Sequence, residues 1–400
     1  MNKSKIFGSM LIIAGTTIGA GMLALPLAAS GLGFGMASVI MLLIWSLMTY
    51  TALLMIEVHQ HAPIDATLHT LAHKLLGRKG QVIASFSMMF LFYALCAAYI
   101  AGGGEQMHSK LTSWFGLDLP MQAGAIIFTL LIGAVVAIGT RSVDLINRSL
   151  FSLKLIALVV MLFLLLPHVS VENLVELPVH QGLVLASLPV IFTSFGFHGS
   201  IPSVVRYLGK DTKALRWIIV VGSSLPLMVY VLWMLASQGV LPQQELMASQ
   251  SLNGFIGSLS RILENPMIAS AVSIFADLAL ATSFLGVSLG LFDFISDLLK
   301  RSAKPSHRLQ VGLVTFLPPL GFALFYPQGF ITALGYAAFA LVILAVFLPV
   351  AMVAAQRKQQ GLEGYRVKGG NLGLAAAALA GVLIISVQLM QMFNLLPSVG

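Results

Sequence analysis

The sequence is poor in charge, which excludes an ordinary soluble fold. Only 9% of its 400 residues are Asp, Glu, Lys or Arg, whereas soluble domains contain about 25%. The single cysteine, Cys96, excludes an internal disulfide. The chain has no HExxH motif and no Walker loop, so the usual signs of metalloprotease or ATP-driven chemistry are absent. We therefore expect a protein that is not an enzyme and that holds neither a metal nor a cofactor.

Apolar residues are abundant and make up 58% of the chain. A membrane-spanning helix needs about 20 of them in succession, and runs of that length recur between short polar stretches. These runs are too continuous for the alternating strands of a barrel. They predict an all-α integral membrane protein with eleven transmembrane helices, near residues 7–30, 35–58, 81–104, 121–140, 147–167, 183–205, 216–238, 267–296, 309–326, 330–355 and 372–394. The connections 59–80 and 239–266 are each long enough for a short surface helix.

The basic residues predict how these helices are oriented. With the N-terminus in the cytoplasm, all but three of the 22 Lys and Arg residues fall on cytoplasmic segments, as the positive-inside rule requires. They are Lys3, Lys5, Lys74, Arg78, Lys79, Arg141, Arg148, Arg206, Lys210, Lys213, Arg216, Lys300, Arg301, Lys304, Arg308, Arg357, Lys358, Arg366 and Lys368. Lys110 and Arg261 fall on the other side, and Lys154 lies inside a helix. We expect a cytoplasmic N-terminus and a periplasmic C-terminus, and we attribute the net charge of +8 to topology and not to nucleic-acid binding.

Two of the predicted helices carry glycine-containing interruptions at mid-span. Helix 1 contains Gly15, Thr16, Thr17, Ile18, Gly19, Ala20 and Gly21, followed by Pro26. Helix 6 contains Thr193, Ser194, Phe195, Gly196, Phe197, His198 and Gly199, followed by Pro202. Glycine loosens a helix and proline removes a backbone donor, so both segments are predicted to be unwound. The alternative is that the glycines only allow helices to pack closely.

The two interruptions lie five helices apart, in helices predicted to run in opposite directions. This pattern predicts an inverted repeat, with helices 1–5 in residues 1–167 and helices 6–10 in residues 183–355, and with residues 372–394 as an additional eleventh helix. Paired interruptions of this kind are typical of a substrate site at the membrane midplane. Unwound backbone offers N–H groups to a carboxylate and carbonyl oxygens to an ammonium group, so the pair is suited to an amino-acid zwitterion.

Several segments resemble one known family. They are 14–26 (AGTTIGAGMLALP), 86–99 (FSMMFLFYALCAAY), 192–203 (FTSFGFHGSIPS), 275–293 (FADLALATSFLGVSLGLFD), 315–326 (TFLPPLGFALFY) and 365–370 (YRVKGG). Together they resemble the tyrosine-specific permeases of the bacterial aromatic amino acid permease family, over essentially the whole chain. The resemblance implies an inner-membrane secondary active transporter that imports tyrosine with protons by alternating access, in a fold of two inverted five-helix repeats. A tryptophan or general aromatic amino acid proton symporter is the alternative, and no oligomeric state is indicated.

All residues named in the segments 15–21 and 193–198 are candidates to bind the substrate, and four residues are candidates through aromatic or imidazole side chains. Phe195 and Phe197 flank the helix 6 interruption and are suited to stack on an aromatic ring, although helix packing accounts for them as well. Tyr93 on helix 3 is a candidate to bind a phenol group or to act as a gate, with a hydrogen bond to a neighbouring helix as the alternative. Histidine side chains ordinarily titrate near neutral pH, so His198 is a candidate to bind substrate or move a proton. The alternative for His198 is a structural role at the unwound carbonyls.

Lys154 and Asp277 are the charges that the sequence places well inside the spans, where charged groups are costly and usually functional. Lys154 lies about seven residues into predicted helix 5, so one alternative is that its ammonium group reaches the membrane surface. The resemblance implies a sharper role, since in proton-coupled relatives a helix 5 lysine replaces a sodium ion between helices 1 and 8. Thr282 and Ser283 occupy the helix 8 positions of the sodium-binding hydroxyls. Asp277 is a candidate to accept a proton, with a structural carboxyl group as the alternative.

Overall fold

The computed structural model describes residues 3–116, 119–299, 305–359 and 363–397, and these residues form helices and connecting segments without a strand. Ten helices are long and apolar enough to cross a membrane, and a helix pair bent by 51° supplies an eleventh span. We number the spans 1 to 11: Lys3–Thr17 with Gly21–Ala28, Phe34–His59, Leu68–Phe115, Met121–Ile138, Thr140–Leu165, Gln181–Leu208, Thr212–Val240, Pro266–Leu298, Pro305–Phe325, Phe330–Arg357 and Gly370–Met392. The predicted all-α membrane fold with eleven spans is confirmed.

Orientation and repeat symmetry stay predictions. Of the basic residues that indicate a cytoplasmic N-terminus, Lys300, Arg301 and Lys304 lie outside the described residues. The division into two inverted repeats of five spans is likewise an expectation from the sequence pattern. The membrane face from which the chain starts is called the N-terminal face below, and the opposite one the far face.

Span 3 is much longer than the sequence predicts, and the expected end at residue 104 is wrong. Thr67 and Thr70 form a capping box at its start, and the helix continues to Phe115 with one kink at Gly77, where φ is 69° and ψ is −164°. The 38 residues after the kink extend about 57 Å at the helical rise, well beyond the ~30 Å of a bilayer core. Lys110 therefore lies on this helix. The sequence had suggested that it lies in a loop.

Two short helices follow span 7, as the length of that connection predicts. They are Gln243–Ala248 and Leu252–Leu263, and Ser251 begins the second by accepting the Gly254 N–H at 3.2 Å. The second helix packs on span 7, where the Phe255 ring meets Trp233 edge-on at 5.8 Å between centroids. The Asn253 side chain joins it to span 3 by donating to the Glu105 carbonyl at 3.0 Å. These helices cover the far face of the bundle around the second half of span 1.

The second half of span 1 and the middle of span 6 lie at the centre of the bundle. In span 1 every residue from Met22 to Ala28 is buried, and in span 6 every residue from Pro189 to Ser194 is buried. A helix buried on all sides must be surrounded by other helices. The two predicted interruptions are thus placed in the interior of the protein.

Candidate functional site

Span 1 is interrupted within the glycine-containing segment. Its first helix ends at Thr17 and its second begins at Gly21, with the 51° bend between them. Ile18 closes the first helix by donating its N–H to the Ala14 carbonyl at 2.8 Å. The break predicted for helix 1 is therefore present, and its centre is residues 18–20.

Span 6 contains a second break, without a comparable bend. The α-helix Leu188–Ser194 gives way to a 3₁₀ turn at His198–Ser200, and an α-helix resumes at Ile201. Gly196 closes the first part by donating to the Thr193 carbonyl at 3.2 Å. Pro202 stands in the first turn of the following helix, where its missing N–H costs no hydrogen bond. The predicted interruption of helix 6 is therefore present as well.

The two breaks are in direct contact with each other. The Ser194 hydroxyl lies 2.9 Å from the Gly21 carbonyl, to which it can donate. A Cβ added at Gly21 would lie 3.2 Å from the Ser194 Cα. The Tyr230 hydroxyl of span 7 lies 2.7 Å from the Thr17 carbonyl and 2.8 Å from the Ser194 carbonyl. The single O–H of one phenol group is therefore shared between carbonyls at the ends of both first half-helices.

Several backbone groups at the breaks have no hydrogen-bond partner among the described residues. They include the amides of Gly19 and Gly21 and the carbonyls of Gly15, Thr16, Phe195 and Gly196. The Gly21 amide stands at the start of a half-helix, which carries partial positive charge, and the Thr16 carbonyl stands at the end of one, which carries partial negative charge. The breaks thus offer donors to an anion and acceptors to a cation without a charged side chain.

Ser283 of span 8 contacts the span 1 break. Its Oγ accepts the Ala20 N–H at 3.0 Å, and a Cβ added at Gly19 would lie only 2.7 Å from the same atom. The neighbouring Thr282 is buried, and its hydroxyl donates within its own helix to the Leu278 carbonyl at 2.8 Å. The structure therefore brings Ser283 to the break directly, whereas the Thr282 hydroxyl has a partner in its own span.

Lys154 reaches the same break from span 5. Its Nζ donates to the Ile18 carbonyl at 2.8 Å and lies 4.6 Å from the centre of the Phe151 ring. Only 2% of the residue is exposed, so the alternative in which Lys154 reaches the membrane surface is wrong. Span 5 begins at Thr140 and not near residue 147. Lys154 is therefore roughly 21 Å along the helix, twice the depth that the sequence indicated.

The aromatic candidates of span 6 are packed against other aromatic rings. Phe195 meets Tyr230 edge-on at 5.0 Å, and Phe197 lies 5.1 Å from the His198 ring. Both phenylalanines are 1% exposed. Their position at the break is as predicted, and their contacts are those of interior packing.

His198 is held by span 2. Its Nε2 lies 2.9 Å from the Thr51 hydroxyl, and its Nδ1 is buried without a hydrogen-bond partner among the described residues. Because Thr51 also lies 3.1 Å from the Leu47 carbonyl, its hydroxyl can donate to that carbonyl while it accepts from Nε2. His198 therefore has Nε2 hydrogen-bonded to span 2 and Nδ1 without a partner among the described residues.

Two candidates lie away from the breaks. The Tyr93 hydroxyl donates to the Val314 carbonyl of span 9 at 2.8 Å, which is the packing alternative considered above. The Asp277 carboxylate forms an ion pair with Lys110 of span 3. Lys154 and Asp277 are also not the only charges inside the spans, because Glu57 and Glu105 are buried in spans 2 and 3.

Tyr230 is the site residue that the sequence reasoning missed. It lies in an apolar stretch of span 7 with no glycine or charge beside it, so its sequence surroundings do not distinguish it from a packing residue. The one feature that could have pointed to Tyr230 is its hydroxyl group, because a buried phenol hydroxyl needs a hydrogen-bond acceptor. Among the described residues no group of three His, Cys, Asp or Glu side chains is placed to hold a metal ion.

Replacing Tyr230 by phenylalanine is expected to destabilise the protein by about 1–3 kcal/mol, the usual cost of leaving buried partners unpaired. The Thr17 and Ser194 carbonyls would lose the one O–H that they share, so the affinity for substrate should fall as well. Thermal unfolding and equilibrium substrate binding measure the two effects. Tyr326→Phe is the matched control, since that side chain is 64% exposed. Equal stability and affinity in both variants would show that the hydroxyl bridge is unimportant.

Comparisons with known proteins match the chain over almost its full length. The model of the tryptophan/tyrosine permease family matches residues 2–388. The chain is 46% identical to Tyrosine-specific transport system 1 of Haemophilus influenzae, over 96% of both chains, and 43% identical to Tyrosine-specific transport system 2 of the same organism, over 100% of both. It is 35% identical to the Tryptophan-specific transport protein of Haemophilus influenzae, over 96% of both chains.

Proposed function

The chain belongs to the tryptophan/tyrosine permease family, and from this premise we propose that it imports tyrosine into the cell together with protons. The import is by alternating access across a bacterial inner membrane, with the N-terminus cytoplasmic. The observation that carries the proposal is the direct contact of the two broken spans, 2.9 Å between the Ser194 hydroxyl and the Gly21 carbonyl. This contact puts unpaired backbone donors and acceptors together in the interior.

The amino and carboxylate groups of the substrate bind at these backbone groups. Its carboxylate accepts hydrogen bonds from the Gly19 and Gly21 amides, where the half-helix dipole favours an anion. Its ammonium group donates to unpaired carbonyls such as those of Thr16 and Gly196. Broken helices at the midplane serve this purpose in several transporter folds. Recognition by backbone also explains how a chain with few charges in its spans can bind a zwitterion.

Access from one side at a time is supported by the pattern of burial around the span 1 break. The half-helix beyond Gly21 is buried to its end at Ala28, and the helix Leu252–Leu263 packs over this far side. On the other side of the break Thr16 is exposed. Burial on the far side of the break, with an exposed residue on the N-terminal side, is the pattern that a conformation closed at the far face would have.

Lys154 is the proposed proton carrier. It holds the Ile18 carbonyl of span 1 and is buried without a carboxylate partner among the described residues. A buried charge with no counter-ion is costly, so a change in water access at this point favours loss or gain of a proton. Ser283 of span 8 contacts the same break. A change in the protonation of Lys154 would therefore change the contacts that hold spans 1, 5 and 8 together at the break.

Tyrosine is proposed as the substrate because the relatives named for tyrosine transport are 43–46% identical to the chain, against 35% for a relative named for tryptophan. Tryptophan is the second candidate. The deciding assay is uptake of radiolabelled tyrosine into liposomes containing the purified protein, under an imposed proton or sodium gradient. We expect accumulation with an inward proton gradient, none with sodium alone, and stronger competition by tyrosine than by tryptophan. Uptake that survives an uncoupler and requires sodium would overturn the proton coupling.

A further inference from the structure

A large groove opens on the side of the bundle near the N-terminal face. Its volume is about 790 Å³, within the range of roughly 300–1,000 Å³ that small-molecule pockets have. Ile6 of span 1, Leu53 of span 2, and Trp217 and Val220 of span 7 form its apolar walls. We call it the span 7 groove. It lies at the edge of the bundle and away from the central breaks.

The mouth of the span 7 groove is basic. Lys213 and Arg216 line it one helical turn apart at the start of span 7, and the Arg216 guanidinium stacks over the Tyr365 ring at 4.1 Å. The nearby Asp211 carboxylate accepts the Ala214 N–H at 3.0 Å and so caps the helix. Neither cation forms a salt bridge within the described part of the chain. Two positive charges therefore lie at the mouth without a salt-bridge partner among the described residues, and with the single carboxylate of Asp211 the lining has a net positive charge.

The lining of the groove changes from basic to apolar along span 7. Val220 is seven residues beyond Lys213, about 10 Å deeper at the helical rise. Trp217 lies between them and is 57% exposed, a position typical of tryptophan at the membrane interface. A ligand that fits must carry an anionic group at one end and a hydrocarbon chain at the other, and it must reach the groove from the bilayer.

We propose that the span 7 groove binds an anionic phospholipid. Its phosphate lies between Lys213 and Arg216, and one acyl chain runs inward along Trp217, Val220 and Leu53. Basic sites between helices on the cytoplasmic side are suited to anionic headgroups, and the aliphatic stems of lysine and arginine can follow the chain while their charges stay at the surface. A phospholipid is favoured over a free anion because most of the groove wall is apolar.

The bound lipid would contact the half of span 1 that precedes the 51° bend, since Ile6 belongs to that half. Spans 2 and 7, which form the other walls of the groove, are tied to each other where Trp45 donates to Ser223 at 3.0 Å. The lipid therefore adds a contact to the first half of span 1, which must move in the proposed alternating access. This functional consequence rests on the proposed transport, whereas the binding of the lipid does not.

Trp217 provides the readout for a binding test. The full chain carrying Trp114→Phe, which removes the other strongly exposed tryptophan (71% exposed), is placed in phosphatidylcholine vesicles. Brominated phosphatidylglycerol or brominated phosphatidylcholine is then added at equal mole fraction, and quenching of the fluorescence is measured. We expect phosphatidylglycerol to be preferred by about fivefold per basic residue, the factor that corresponds to about 1 kcal/mol for each charge near an anionic surface.

Lys213→Gln with Arg216→Gln should abolish this preference, whereas the matched surface pair Arg78→Gln with Lys79→Gln should retain it. Leu53→Phe, which narrows the groove, keeps both charges and adds no further tryptophan to the signal, should also weaken it. Equal quenching by the two lipids in the Trp114→Phe protein would overturn the proposal, as would a preference that persists in the Lys213/Arg216 variant. If inorganic phosphate removes the preference but sodium chloride of the same ionic strength does not, the groove is a free-anion site and the assignment to a phospholipid is wrong. None of these outcomes depends on transport.

Discussion

Replacing Gly19 by leucine is expected to abolish tyrosine uptake, with binding weakened by up to about 100-fold. A Cβ at this position would lie 2.7 Å from the Ser283 Oγ, closer than real Cβ contacts. Overpacking an interior site costs typically 1–3 kcal/mol, and about 1.4 kcal/mol is tenfold in affinity. The remaining atoms of leucine would cover the Gly19 and Gly21 amides, which the proposed site offers to the carboxylate.

Gly321→Leu is the matched control, because a Cβ added there meets no heavy atom within 4 Å. It should transport as the unmodified protein does. A graded test isolates the contact with span 8. Gly19→Ala alone should weaken uptake, since it displaces the Ser283 hydroxyl from the Ala20 amide, and Gly19→Ala with Ser283→Ala should recover part of the loss. Normal uptake by Gly19→Leu would place the substrate site elsewhere.

The spans and both breaks could be predicted from sequence because each rests on local chemistry. Long apolar runs define spans through the thickness of the bilayer, and the segments 15–21 and 193–199 carry the glycines at which the helices part. What the local pattern could not give is how deep a charge lies. The start of span 5 contains Arg141, Asp144 and Arg148, which read as a polar connection, yet the helix already begins at Thr140.

The end of span 3 was also predicted wrongly because polar residues were taken as the end of a helix. The residues Glu105, His108 and Lys110 read as the start of a loop, because charges usually mark where a helix leaves the bilayer. In the structure they continue the helix, since Glu105 is buried beside Asn253 and Lys110 has a carboxylate partner in Asp277. Partners from distant parts of the chain make these polar residues compatible with the bundle. No single-sequence pattern contains that information.

Tyr230 was missed for a related reason. Its role depends on two carbonyls that are 213 and 36 residues away in sequence, and both are free only because their helices break. The sequence predicted the breaks and therefore the freed carbonyls, but it did not predict which side chain would reach them. Lys154 was found because a charge in an apolar run is conspicuous, whereas a tyrosine is not.

Replacing Lys154 by glutamine is expected to uncouple transport from the proton gradient. Glutamine can still donate to the Ile18 carbonyl that Lys154 holds at 2.8 Å, but it cannot gain or lose a proton. The ratio of internal to external tyrosine under an inward proton gradient should therefore fall to about 1, the value for exchange without coupled ions. Exchange of labelled for unlabelled tyrosine should persist, because the substrate groups are untouched.

Lys154→Ala separates the hydrogen bond from the charge. It removes both, leaves the Ile18 carbonyl unpaired, and should cost a further 1–3 kcal/mol of stability, by order of magnitude, together with part of the exchange activity. Thermal unfolding of the three proteins and their exchange rates at equal protein content measure this. If Lys154→Gln and Lys154→Ala lose exchange equally, the residue serves the structure of the break and not the coupling.

Asp277 provides the competing assignment, and its partner makes the test clean. The pair Lys110→Gln with Asp277→Asn removes both charges of the Lys110–Asp277 ion pair. No charge of that pair is then left without its partner. Because this pair lies away from the breaks, the double variant should still accumulate tyrosine against a gradient. If the double variant loses accumulation while Lys154→Gln retains it, the proposed proton carrier is Asp277 of span 8 and not Lys154 of span 5. The two variants therefore decide between Lys154 and Asp277 as the carrier of the proposed coupled proton.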